Sequence, residues 1–298
     1  LDEGVKLQLY LNSKTLSGQL LEEYKLLDFG DIIGVDGEIF KTNKGELTVR
    51  VSTFRILAKA LRPLPDKHKG LTDTEMRYRQ RYVDLIVNEE SRSVFETRSR
   101  IIKFMRGYFE ELGFMEVETP MMQIIPGGAT ARPFITHHNA LDQDMYLRVA
   151  PELYLKRLIV AGLDKVFELN RNFRNEGLST RHNPEFTMLE FYKAYARYQD
   201  LMDLTEDLFR RIAKEVIGST TINYQGTEYD FANSFTRLTV CDAITQYCEV
   251  NREDLTTKKS VITAANSLEV SFDESWPLGK IVMEIFEQKV EGLLDQPT

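Results

Sequence analysis

Lys165-Val166-Phe167-Glu168-Leu169-Asn170-Arg171-Asn172-Phe173-Arg174 and Glu185-Phe186-Thr187-Met188-Leu189-Glu190-Phe191-Tyr192 are the two runs on which the reading of this chain turns. Both alternate with a period of two, so each reads as a β-strand with two distinct faces. Glu168, Asn170, Asn172 and Arg174 share one face of the first, and Phe186, Met188, Glu190 and Tyr192 share one face of the second. Asn175 to Pro184, between them, is a polar loop. An antiparallel pair closed by that loop would align both sets on one surface carrying an arginine, carboxylates, a tyrosine hydroxyl and an aromatic ring. Burying such a face is unfavourable unless a polar ligand matches it. The plainer alternative is a solvated sheet face with scattered charges.

Outward from this pair the pattern is mixed. Strand-like stretches fall at 115–119 and 144–150. Val94, Ile101, Met105, Tyr108 and Leu112 lie near helical spacing, with Gly113 as the stop. Leu201, Leu204, Leu208, Ile212 and Val216 mark a helix over 198–217 ended by Gly218, and a third covers roughly 278–294. Helices mixed with hairpins, without regular βαβ repeats, imply an α+β domain. The first sixty residues read differently. Val5–Leu11, Asp31–Phe40 and Glu46–Val51 are short strand runs, and Thr42-Asn43-Lys44-Gly45 is a hairpin signal. They suggest a small β-barrel or part of one. A Pro/Gly/Lys cluster from Arg62 to Gly70 places a domain boundary there.

Composition bounds the function classes. The chain has 298 residues, which at about 100–200 per domain suggests two domains. With 42% hydrophobic and 28% charged residues it is core-forming, not disordered. Forty-six acidic residues against 38 basic ones leave a net charge of -8, so any nucleic-acid contact must use a local patch. Arg77, Arg79 and Arg81, interleaved with Tyr78 and Tyr82, suit a phosphate backbone and equally an intramolecular or subunit-interface role. No run of about 18 apolar residues exists, so no membrane-spanning helix is expected. Cys241 and Cys248 are too few for a disulfide framework or a zinc site, and cytosol is the default compartment. His137-His138 would alternate faces on an extended chain, which favours surface or structural roles, and Trp276 is expected in a core. No Walker or Rossmann glycine motif is present.

More specific signals lie around the opening pair. Arg174-Asn175-Glu176, the run Arg181-His182-Asn183-Pro184-Glu185-Phe186, and Glu190 resemble motif 2 of the class II aminoacyl-tRNA synthetases. Gly113-Phe114-Met115-Glu116-Val117-Glu118-Thr119-Pro120, directly after a long helix, resembles motif 1. Pro126-Gly127-Gly128-Ala129-Thr130-Ala131-Arg132-Pro133-Phe134 and Ala150-Pro151-Glu152-Leu153-Tyr154-Leu155-Lys156 resemble the lysyl branch of that family. The resemblance covers essentially the whole chain. It implies a class II catalytic domain on an antiparallel sheet over 91–298, a linker over 63–90, and the C-terminal part of an OB-fold anticodon-binding barrel over 1–62. It also implies a cytoplasmic homodimer that activates lysine with ATP and transfers it to tRNA(Lys), with Mg²⁺ accompanying ATP and no membrane association. The chain is expected to stop before motif 3, so the second ATP-binding arginine and the Mg²⁺ ligands are expected beyond Thr298, with no metal ligand in this chain.

Residue roles follow by the same resemblance. Arg174 is the expected catalytic residue, meeting the α-phosphate of ATP and the attacking carboxylate with its planar fork of donors. Phe186 is expected to stack on adenine, and Glu176, His182 and Asn183 to line the nucleotide. Lysine is expected to meet Gly128, Glu152, Arg174, Glu190 and Tyr192, because two ammonium groups need about two acidic partners; which carboxylate meets which ammonium stays open. Two other readings remain: a synthetase-like paralogue that attaches a lysine-type amino acid to an elongation factor, and a non-catalytic relative retained as a binding module.

Overall fold

The computed structural model describes residues 6–12, 18–65 and 70–298. Val5 of the first expected strand and 66–69 of the expected linker lie outside these. The chain divides into two compact units, Leu1–Glu96 and Thr97–Thr298.

In the first unit β1 (Gln8–Tyr10), α1 (Gly18–Lys25), β2 (Ile32–Lys41) and β3 (Leu47–Ala58) follow in order. The sheet order is β1-β3-β2, with β1 parallel and β2 antiparallel to β3. The hairpin signal is realised: Thr42 N–H donates to the Glu46 carbonyl at 2.9 Å and Gly45 N–H to the Thr42 carbonyl at 2.8 Å. Gly45 takes φ +83°, a region other residues enter at a cost. Val49, Val51 and Phe54 of β3 form the core. The described residues of this unit form a three-stranded sheet, and no closed barrel is found among them. The stretch expected as a linker carries α2 (Thr74–Arg79) and α3 (Arg81–Val87). The start signal is Asp73, whose side chain accepts the Met76 N–H at 2.7 Å. Arg77 and Arg81 both turn onto buried Asp84, and Arg79 Nε lies 3.3 Å from Glu75 Oε2, so all three basic side chains there make intramolecular ion pairs.

α4 (Glu89–Glu111) crosses the division between the units. It ends in a Schellman arrangement: Gly113 N–H donates to Glu110 O, Phe114 N–H donates to Phe109 O, and Gly113 has φ +77°. The hydrophobic contact that accompanies such an end is Phe109 on Phe114, ring centroids 5.1 Å apart. Next come β4 (Met115–Glu116), β5 (Met122–Gln123), β6 (Ile135–His138), β7 (Gln143–Leu147), α5 (Glu152–Val160), β8 (Lys165–Phe173), β9 (Glu185–Lys193) and α6 (Tyr198–Arg211). They build two sheets, β4-β8-β9 and β5-β7-β6. β8 and β9 are antiparallel as expected, while β4 joins β8 in parallel. Phe167, Leu189 and Phe191 face α4 and α6, and Phe109 sits 5.1 Å from Phe167 and 4.8 Å from Phe191. That apolar anchor leaves the opposite face of β8 and β9 for polar residues.

α6 runs into a π-helical turn at Ile212–Ile217 and stops at Gly218, φ +90°. A hairpin follows, β10 (Thr221–Tyr224) and β11 (Thr227–Asp230), whose turn residues Gln225 and Gly226 both have positive φ, the type I′ signature. α7 (Val240–Cys248), α8 (Lys258–Ser267) and α9 (Leu278–Lys289) then enclose a separate apolar core around Ile244, Val261, Ile281 and Ile285. Trp276 is half-buried against that core, with Lys280 Nζ 3.5 Å from its ring centroid.

Candidate active site

The register of β8 and β9 pairs Asn172 with Phe186, Asn170 with Met188 and Glu168 with Glu190. The two alternating sets therefore do share a surface. At about 3.3 Å per residue, Phe186 and Glu190 stand about 13 Å apart along it.

One end is cationic and aromatic. Arg174 follows β8 directly, and its N–H donates to the Pro184 carbonyl at 2.9 Å, closing the neck of the loop. Its guanidinium lies 5.2 Å from the Phe186 ring centroid, and its Nε is buried without a hydrogen-bond partner. A buried donor left unmatched costs about 1–3 kcal/mol, which an anionic oxygen placed there would offset. Asn172 Oδ1, an acceptor on the same buried face, is also unpartnered, while its Nδ2 donates to Met188 Sδ at 3.1 Å.

The loop is tied down by backbone contacts. Asn175 N–H donates to the Arg132 carbonyl at 2.7 Å, and Glu176 Oε1 accepts the Arg132 N–H at 3.2 Å. Residues 126–134 are thereby stitched to the loop. Ser179 and His182 exchange backbone hydrogen bonds, His182 Nδ1 lies 2.8 Å from Ser179 Oγ, and Asn183 Nδ2 donates to the Glu185 carbonyl at 2.9 Å. Glu176, His182 and Asn183 are exposed, and the His182 and Asn183 side chains bond within their own segment.

The other end is acidic. Glu190 is half-buried and accepts the Tyr192 hydroxyl at 2.8 Å. Burial holds its carboxyl above the usual range; Tyr192 and Arg148 oppose this, and the carboxylates of Glu152 and Glu168 reinforce it. Burial, then the bond to Glu190, likewise pushes the Tyr192 phenol well up. Glu152 occupies the first turn of α5, where the helix dipole favours an anion, with its Oε1 2.6 Å from Lys156 Nζ. Gly128 has φ +91°, and a Cβ there would fall 2.8 Å from Glu152 Cβ and 3.1 Å from Ala150 Cβ. The close approach made in this structure is thus between the glycine and the segment carrying Glu152.

Arg148 and Glu168 are buried beside this end and bond to Thr119, a three-residue cluster that strand alternation alone does not reveal. Arg148 Nη1 lies 2.7 Å from Glu168 Oε1, and Thr119 Oγ1 donates to Glu168 Oε2 at 2.6 Å. The legible signal was a lone arginine inside the run Tyr146-Leu147-Arg148-Val149-Ala150, since arginine is rarely fully buried unless paired. His137 pairs with Asp144 through Nδ1 at 3.0 Å, opposite it in the β6–β7 register. Among the described residues no group of three or more His, Cys, Asp or Glu side chains could hold a metal ion, and no helix is long and apolar enough to cross a membrane.

Residues 73–296 match the family of tRNA synthetases class II (D, K and N), and the chain belongs to that family. Its likeness within the class is to lysine–tRNA ligases. Along its full length it is 56% identical to that of Thioalkalivibrio sulfidiphilus, 57% to that of Chromohalobacter salexigens and 58% to that of Idiomarina loihiensis. It spans about 60% of the length of these curated relatives (60%, 59% and 59%).

Proposed function

We propose that the chain carries the amino-acid-activating site of a lysine–tRNA ligase. Lysine attacks the α-phosphate of ATP through its carboxylate, pyrophosphate leaves, and the lysyl group passes to the 3′ end of tRNA(Lys) with release of AMP. The observation that carries this reading is one strand-pair face with an unmatched guanidinium over an aromatic ring at one end and the Glu190, Tyr192 and Glu152 cluster at the other.

The chemistry suits these groups. The nucleophile is already an anion, so the site supplies positioning and charge stabilisation, with no general base. Arg174 brings the carboxylate and the α-phosphate together while their charges redistribute. Phe186 offers adenine a flat partner once the guanidinium moves to phosphate, with Glu176, His182 and Asn183 along the loop beside it. Glu190 and Glu152 meet the two ammonium groups of lysine, Tyr192 orients Glu190, and Gly128 leaves room for Glu152. Mg²⁺ accompanies the ATP phosphates; among the described residues no cluster of three or more His, Cys, Asp or Glu side chains forms a separate cage for it, so the phosphates themselves would supply most of its ligands. Residues 1–62 then serve as the C-terminal part of an OB-fold anticodon-binding domain, 63–90 as the link and 91–298 as catalytic domain. The partner in this reading is a second copy of the chain.

The test is amino-acid-dependent ATP–pyrophosphate exchange on the full-length protein carrying this chain, comparing lysine, aspartate, asparagine and no amino acid. Exchange with lysine alone is expected. Exchange with aspartate or asparagine would overturn the branch, and no exchange from folded protein would leave a binding module.

A further inference from the structure

Glu168 and Glu190 stand directly opposite each other on one face of β8 and β9. Such cross-strand neighbours have Cβ atoms about 4.5–5.5 Å apart, and like charges there oppose pairing. Their surroundings differ sharply. Glu168 is 1% exposed and saturated: Oε1 accepts from Arg148 Nη1 at 2.7 Å, from the Thr119 N–H at 3.2 Å and from Asn170 Nδ2 at 3.2 Å, and Oε2 accepts from Thr119 Oγ1 at 2.6 Å. Arg148 is wholly buried, with its Nε donating to the Arg171 carbonyl at 2.9 Å. Glu190, by contrast, receives the neutral hydroxyl of Tyr192.

A buried guanidinium beside two carboxylates can pair with either. Here it pairs with Glu168, and this decides which carboxylate faces the ligand. We propose that Glu168 and Arg148 are positioning residues for ammonium recognition: Glu168 holds the Arg148 guanidinium away from Glu190, and Glu190 stays available to the cation of the substrate. This rests on the lysine-activating reading above. Four groups act on Glu190: Tyr192 on its own strand, Glu168 on β8, Arg148 just after β7, and Glu152 on α5, itself paired with Lys156.

The experiment is Glu168→Gln in the full-length protein, with KM for lysine and for ATP and the pH profile of kcat/KM for lysine read by pyrophosphate exchange. Freed from Glu168, Arg148 turns to Glu190 and competes with the substrate. The lysine KM is expected to rise about tenfold with the ATP KM unchanged, as for a displaced ionic partner. The acid limb of the profile is expected to move to lower pH, because Glu190 has lost a neighbouring anion and gained a cation. Glu168→Asp, which keeps the charge, is expected to return the limb toward the wild-type position. A merely structural role would raise both KM values together and leave the limb in place, and that result overturns the proposal. Should Glu168→Gln fail to fold, Arg148→Lys decides: a rise confined to the lysine KM supports the proposal, and a common rise or none overturns it. Wild-type protein that exchanges with lysine while the variants fail these tests would sink this inference alone, whereas wild-type protein inert with lysine would sink the reading beneath it.

Discussion

Replacing Gly128 by alanine tests the link between the 126–134 loop and Glu152. Two costs can be worked from the structure. The first is conformational: a non-glycine residue at φ +91° carries strain of about 1–3 kcal/mol. The second is steric. The new Cβ would lie 2.8 Å from Glu152 Cβ, whereas carbons in contact settle at about 3.5–4.0 Å, so the two segments must part by roughly 0.7 Å or more. The atom in the way is close to the backbone of α5, so it cannot swing aside as a side-chain tip would. Glu152 therefore moves with its helix turn, and a displacement near 1 Å in a positioned group costs about 10²-fold. The lysine KM in pyrophosphate exchange should rise about 10- to 100-fold with the ATP KM unchanged. By calorimetry the melting temperature should fall by about 2–4 °C per kcal/mol of strain. A lysine KM within twofold of wild type, or an equal rise for ATP, would refute the placement of Gly128 against the lysine end.

Three further outcomes follow from the same geometry. Arg174→Ala should lower lysine-dependent exchange by about 10²–10³-fold, as for loss of one charge-stabilising donor. Its urea midpoint should barely move, since the guanidinium rests on the Phe186 ring and such packing is worth about 0.5–1 kcal/mol. Glu190 binds its proton more tightly folded than unfolded, so its contribution to stability falls as pH rises from the ordinary glutamate value through the raised folded one. Glu190→Gln should accordingly melt higher than wild type at pH 7, with the gain shrinking toward pH 4, while abolishing lysine-dependent exchange; a lower melting point at neutral pH would contradict the burial argument. Phe109→Ala removes the ring at the centre of the α4, β8 and β9 packing and should cost about 3–5 kcal/mol, read as a lowered urea midpoint.

Much of the second unit was legible locally. Period-two alternation placed Glu168, Asn170 and Asn172 on one face of their strand and Phe186, Met188 and Glu190 on one face of theirs, and the observed register pairs them one to one. Gly113 and Gly218 end their helices, as the spacing of apolar residues before them implies. Other elements escaped. The turn of β10 and β11 uses Gln225-Gly226 in place of the commoner Asn-Gly, and α7 and α8 announce themselves only through their caps, Thr239 and Thr257. The short strands at the start of the chain were visible, but whether they close into a barrel depends on pairing between strand edges, which local alternation does not specify.

By itself the sequence determined where backbone periodicity, turn chemistry and motif spacing act over a few residues: the strand pair, its polar face, the loop and the candidate ligands on it. Tertiary structure alone decided which charge neutralises which. Arg148 and Glu168 are twenty positions apart, and Gly128 and Glu152 are twenty-four, so neither contact leaves a local pattern. A buried carboxylate is stabilised or exposed to a ligand according to its nearest opposite charge in a dry interior, and that neighbour is set by packing, not by proximity in the chain.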